Sequence, residues 1–271
     1  MTSRPTLVCV HAHPDDESLF TGGVTSWYAE RGYRVVLVTC TDGQYGIDPE
    51  GRAGDDPAHD TAATRAVRAS ELASAAALVG YERVVQLGFH DSGMAGWSQN
   101  DDANAFARAD VARCSATLAA LLDEVEATVV VTYDESGFYG HPDHVMANVV
   151  TRAAVALAST VERLYYVVVP QGILTEFVPD AQALEVFLPA WVLDAGIGVA
   201  DELVATTMDV RAYAARKQRA IATHATQIDN GELVTMDPAL FLTLFGTEYY
   251  QWAWSRHEAV GDATDLFGGL S

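Results

Sequence analysis

Five short, largely apolar runs alternate with helical stretches along the first 169 residues, and that alternation leaves few folds open. The runs are Leu7–Val10, Val35–Thr41, Val84–Leu87, Val129–Tyr133 and Leu164–Val169. Strands that are apolar on both faces belong in a parallel sheet covered on both sides, and strands alternating with helices give the βαβ repeat. The spacing predicts helices over Leu19–Arg31, Ala62–Val79, Asp102–Glu126 and Pro142–Ala158. Gly32 and Gly80 act as stops, and Asp60-Thr61 is a cap for the second helix. Asp42–His59 and Gly88–Asp101 read as long polar loops, and loops of that length raise the expectation of function. After Pro170 the alternation weakens. Glu202–Met208 reads as a strand, Val210–His224 as a helix, and Phe241–Trp254 as a final aromatic element packed on the core. Asp180–Trp191 is ambiguous. The expected class is α/β: a Rossmann-like, mostly parallel sheet with helices on both faces, plus a smaller mixed C-terminal portion. We read one catalytic domain, residues 1–271, with the core in 1–169 and residues 170–271 completing the pocket.

A chain of 271 residues that is 49% hydrophobic can bury a sizeable core. No apolar run reaches the ~18 residues of a membrane span, and Met1–Pro5 carries no basic segment or apolar stretch of a secretion signal. The expected location is therefore cytoplasmic. The net charge of −21 disfavours nucleic acid and anionic membranes as partners, because phosphates would be repelled. A homo-oligomer is compatible with the sequence and not specified by it. The three cysteines form no CxxC pair and read as buried thiols. Lys217 is the only lysine, so Schiff-base chemistry would have to use it.

The first strand ends in His11-Ala12-His13-Pro14-Asp15-Asp16-Glu17, and the fourth is followed by Tyr139-Gly140-His141-Pro142-Asp143-His144. One His-Pro-Asp triplet is ordinary helix-start chemistry: proline suits the first helical position and a carboxylate suits the helix N-terminus. On that reading His13 and His141 sit near N-cap positions, His11 is a core histidine, and Glu17 is a first-turn dipole partner. Jointly the groups ask for more, since buried ionisable side chains are costly unless paired or bound to metal. Imidazole nitrogens and carboxylate oxygens suit a borderline divalent metal. In a parallel sheet, loops leaving the strands' carboxyl ends form the ligand crevice, and both motifs lie on such loops. Asp15 and Asp16 are adjacent and cannot point the same way, so one can bind metal while the other stands beside the attacking water.

The AHPDDE and YGHPDH motifs resemble the LmbE-like (PIG-L) family of zinc-dependent N-acetylglucosaminide deacetylases. Arg68-Ala69-Ser70-Glu71-Leu72, Asp91-Ser92-Gly93-Met94-Ala95-Gly96 and His224-Ala225-Thr226-Gln227 are similar to further stretches, the last two to the actinobacterial mycothiol branch. The resemblance implies His13, Asp16 and His144 as ligands of Zn2+ (with Fe2+ as an alternative in the cell) and Asp15 as general base. It implies that protonated His141 and Tyr139 stabilise the oxyanion, with Asp143 orienting His141. Arg68 and Asp91 become sugar contacts, although spacing alone gives Arg68 a surface ion pair with Glu71 and Asp91 a turn. The implied reaction releases acetate and a free amine from an N-acetylglucosaminyl substrate, either the inositol glycoside or an amino-sugar natural-product precursor. Rival readings are a mycothiol S-conjugate amidase, a non-catalytic sugar-binding protein and a two-metal phosphoesterase. Ser18-Leu19-Phe20-Thr21-Gly22 carries no lysine, which leans away from the amidase. His59, His90 and His257 read as loop or surface residues.

Overall fold

The computed structural model describes residues 4–177, 196–227, 231–257 and 262–270. Seven strands form one sheet: β1 (Thr6–His11), β2 (Arg34–Thr41), β3 (Arg83–Phe89), β4 (Val129–Tyr133), β5 (Arg163–Val168), β6 (Val204–Asp209) and β7 (Thr247–Ser255). Their order is β3-β2-β1-β4-β5-β7-β6. The first five are mutually parallel, whereas β7 runs antiparallel to both β5 and β6. Residues of β1, β4 and β5 are buried throughout, as expected for the middle of a doubly covered sheet. At the edge, β3 alternates between exposed and half-buried positions.

The helices beside this sheet are α1 (Asp16–Glu30), α2 (Thr61–Val79), α3 (Val111–Glu124), α4 (Gly137–Gly140), α5 (Pro142–Leu157), α6 (Gln171–Phe177), α7 (Ala214–Thr223), α8 (Gly231–Thr235) and α9 (Pro238–Phe245). α1, α2 and α7 pack together, and α3 packs on α5. These form two layers, as right-handed crossovers require when the strand order reverses between β1 and β4. Among the described residues no helix is long and apolar enough to cross a membrane.

The core helices fall where the sequence places them, with local corrections. The Asp60 side chain accepts the Ala62 and Ala63 N–H groups at the start of α2, and Gly80 closes it at φ +106°. The helix expected from Asp102 begins only at Val111, because Asp110 caps the Arg113 N–H; two 3-10 turns, Ser98–Asp101 and Phe106–Arg108, precede it. The aromatic stretch 241–254 divides at Gly246 into the end of α9 and most of β7. The C-terminal portion thus extends the sheet itself. Asp180–Trp191 lies outside the described residues.

Candidate active site

Both His-Pro-Asp stretches leave the carboxyl ends of neighbouring strands, β1 and β4, where the strand order reverses. The two are not built alike. His141 is the N-cap of α5, with Pro142 in the first turn, and its Nδ1 accepts the Asp143 N–H at 3.1 Å. At α1 the N-cap is Asp15, not His13, and Asp15 has φ +125°. That conformation is uncommon for a residue with a side chain. It is held by Glu17 Oε2, which accepts the Asp15 N–H at 2.8 Å.

Asp16 and the histidines converge. Asp16 Oδ2 accepts the His13 N–H at 2.8 Å and the Tyr133 hydroxyl at 2.7 Å. It also lies 3.4 Å from His13 Nδ1, while Asp16 Oδ1 lies 3.5 Å from His144 Nε2. His144 is fully buried and its Nδ1 meets the Gly137 carbonyl at 3.2 Å, which leaves Nε2 with no hydrogen-bond partner. His13 Nε2 meets Asp143 Oδ2 at 3.2 Å, which leaves Nδ1 towards Asp16. In both rings the nitrogen facing the cluster is therefore the one available as a ligand, and the other is fixed by an oxygen partner. Ligand atoms of His13, His141 and His144 all lie within 4.8 Å of one another. Two imidazoles and a carboxylate with their second partners in place fit a divalent cation.

The electrostatics favour a cation here. Burial works against charge on His13, yet Asp91, Asp143 and Asp16 outweigh it and push the imidazole well above its usual pKa. Burial also opposes ionisation of Asp16, but His144 and His13 hold its carboxyl far below the usual range. Burial pushes Asp15 up to about 6, the nearby Asp16 adding to the rise and the Arg68 guanidinium opposing it.

Arg68 is not a surface partner of Glu71. It is 3% exposed, and its guanidinium donates to the Pro14 and Gly43 carbonyls with Nη2 3.2 Å from Asp15 Oδ1. Glu71 instead accepts from the Thr226 N–H and hydroxyl. The 42–59 loop can close over Arg68 only because Gly43 (φ +63°) and Gly46 lack side chains; a Cβ on Gly43 would lie 2.5 Å from Nη1. Asp91 is the turn expected from its sequence, accepting the Gly93 N–H, and it also takes the Tyr45 N–H and stands 3.7 Å from His13 Nε2.

Asp143 differs from expectation. Its carboxylate holds His13, the Ser92 N–H and the Ser92 hydroxyl, whereas His141 contacts only its backbone N–H. His141 differs too: burial and the neighbouring His13 and His144 drive its pKa well below the usual value. With Nδ1 accepting, the neutral ring carries its proton on Nε2. Tyr139 lines the same cavity, its ring 4.9 Å from that of His144, and burial keeps its hydroxyl protonated.

Two contributors, Tyr133 and Ser92, were given no site role from the sequence. Tyr133 donates to Asp16, accepts the Ala12 N–H at 2.8 Å and stacks on His144 at 4.1 Å. Ser92 anchors Asp143. Glu17 and His224, both buried, pair at 2.8 Å, so the His224 stretch supports the strained Asp15 turn. His11 lies behind the site on Thr21 Oγ1. His59 holds the Gly46 carbonyl, His90 is half-buried and His257 is exposed.

The cluster lines a cavity of about 580 Å³, within the usual range of small-molecule sites. The profile of the PIG-L family, described as GlcNAc-PI de-N-acetylase, matches residues 8–155, more than half of the chain. The chain belongs to the PIG-L family. This PIG-L chain is 38% identical over 280 residues to the 1D-myo-inositol 2-acetamido-2-deoxy-alpha-D-glucopyranoside deacetylase of Acidothermus cellulolyticus, covering 97% of this chain and 94% of that protein. Its fold is similar to that of the N,N'-diacetylchitobiose deacetylase of Pyrococcus horikoshii (TM-score 0.60, 18% identity, 92% and 83% of the two chains). It is also similar in fold to the 4-carboxy-2-hydroxymuconate hydratase of Pseudomonas putida KT2440 (TM-score 0.64, 16% identity, 95% and 100%). One scaffold thus carries different reactions, so chemistry has to be argued from the site. As a PIG-L protein the chain is a hydrolase of the de-N-acetylase class.

Proposed function

We propose that this protein removes the N-acetyl group of an N-acetylglucosaminyl glycoside, releasing acetate and a free amine. The observation that carries this reading is the convergence of His13 and His144 on Asp16, at 3.4 and 3.5 Å, beside a separate carboxylate, Asp15, at one cavity. His13, Asp16 and His144 would hold the cation, and zinc is the metal this donor set suits best. Bound there, it supplies Lewis acidity that polarises an amide carbonyl and makes water more acidic.

The protein's own groups divide the remaining work. Asp15, with a pKa near 6, takes the proton of the attacking water on its carboxylate and passes it to the leaving nitrogen. His141 Nε2–H and the Tyr139 hydroxyl donate to the oxyanion of the tetrahedral intermediate. Neutral His141 suffices for this, because the donor is an N–H and not a full charge. Asp143 acts through His13 as a positioning residue. Asp91 and Arg68 bound the sugar end of the cavity.

Arg68 also tunes the base. Asp15 works only when ionised, so kcat/KM rises with pH through the Asp15 pKa, at or below about 6 once a cation is bound nearby. Arg68→Met removes a charge that favours the carboxylate, so the acid limb of the kcat/KM profile moves to higher pH. An unmoved limb would detach Asp15 from the titration.

The direct test is release of primary amine from N-acetylglucosaminyl-inositol, N-acetylglucosamine and a mycothiol S-conjugate, using as-isolated, chelated and zinc-restored protein. Activity on an N-acetylglucosaminide, lost on chelation and regained with one zinc per chain, is expected. Two metals per chain would favour the phosphoesterase reading. Preference for the S-conjugate would favour the amidase, and bound metal without amine release from any substrate would sink the proposal.

A further inference from the structure

The cavity is uneven in character. On the side of β1 and β4 it presents His13, Asp15, Asp16, Arg68, Asp91 and His141. On the side of β5 and β7 it is walled by Leu19, Ile173, Leu174, Ile197 and Phe245, and Phe20, packed on Phe138, continues the apolar lining towards the cluster. The charged groups on that second side are already engaged. Lys217 Nζ donates to Glu248 Oε1 at 2.8 Å, and Glu248 also accepts the Gly23 and Val24 N–H groups and the Tyr250 hydroxyl.

A polyol seated against this wall would give up hydration for few replacement partners, which is unfavourable. An alkyl or aryl group would instead cover apolar surface that is half-exposed at Leu19, Phe20, Ile173, Leu174 and Phe245. We infer that the substrate's aglycone is apolar, an alkyl or aryl group lying against α6, α9 and the second turn of α1, while the acetamido sugar faces the His/Asp cluster. The inference rests on the deacetylase reading for its orientation and adds the class of aglycone.

The test uses methyl, butyl and hexyl N-acetylglucosaminides beside N-acetylglucosaminyl-inositol, all below micelle-forming concentrations, with metal-loaded protein. Burial of each added methylene should raise kcat/KM about 4-fold, with the inositol glycoside no better than the methyl glycoside. Ile173→Asn should flatten the chain-length series. A flat series in the unaltered protein, with the inositol glycoside preferred, would overturn the inference. If none of these compounds is deacetylated, the functional reading fails separately. Titration calorimetry of the same glycosides then decides the subsite: affinity rising with chain length sustains it, and affinity indifferent to chain length overturns it.

Discussion

Asp15→Asn is expected to lower kcat by about 100- to 10,000-fold, the range for removing a general base, with metal content unchanged. Asparagine is the informative replacement. Asp15 sits at φ +125°, where asparagine is tolerated better than most residues, and its amide oxygen can still accept from Arg68 Nη2. The variant therefore keeps the turn and the volume and loses the basic carboxylate. Asp15 is also distinct from the cluster's carboxylate, because Asp16 is the one near His13 and His144. Stopped single-turnover assays beside metal analysis would separate the outcomes. Loss of metal with loss of turnover would make Asp15 a ligand, and normal turnover would remove it from the chemistry.

His144→Ala should reduce bound metal from one per chain to near zero and cut kcat by about 1,000-fold or more. That magnitude follows from losing several kcal/mol of Lewis-acid stabilisation at 1.36 kcal/mol per tenfold in rate. The reasoning starts from the ring's two nitrogens. Nδ1 is fixed by the Gly137 carbonyl, and Nε2 is buried and unpartnered at 3.5 Å from Asp16 Oδ1. A buried nitrogen without a partner is costly unless something fills its lone pair. Circular dichroism and a urea midpoint would confirm that the variant folds. Full metal occupancy with normal turnover would move the cation to the alternative grouping of His13, Asp91, His141 and Asp143.

The parallel core was legible because its strands are apolar on both faces and punctuated by glycines and capping aspartates. Asp60 and Gly80 bound α2 in the structure as they do in the sequence. The joint site was legible because two His-Pro-Asp stretches follow two strands, and β1 and β4 prove to be neighbours. What sequence spacing missed depends on three dimensions. Arg68 reads as a helix-surface residue until the 42–59 loop closes over it through Gly43 and Gly46. Tyr133 reads as the last residue of a strand, and only the β1–β4 pairing sets its hydroxyl between Ala12 and Asp16. The helix-start reasoning placed His13 at the cap of α1, but the Glu17 hold on the Asp15 N–H shifts the cap two residues on. Asp143 is only two residues from His141, yet its carboxylate turns to His13 because Ser92 takes its other oxygen.

The placing of β7 between β5 and β6 bears on the order in which the chain can assemble during synthesis. β6 emerges from the ribosome before β7, yet β7 is the strand it pairs with, so β6 must wait unpaired. Until Thr247–Ser255 arrives, the outer edge of β5 is bare as well. The same late strand brings Glu248, which grips the Gly23 and Val24 N–H groups of the helix that begins at Asp16. Within the parallel half the widest pairing, β1 with β4, joins residues 122 apart, whereas this closure joins residues 225 apart and carries the larger loop-closure entropy. A nascent chain stalled before residue 247 would hold His13, Asp16 and His144 while the helix that begins at Asp16 still lacked its anchor. Such a chain would present unpaired strand edges to chaperones and proteases.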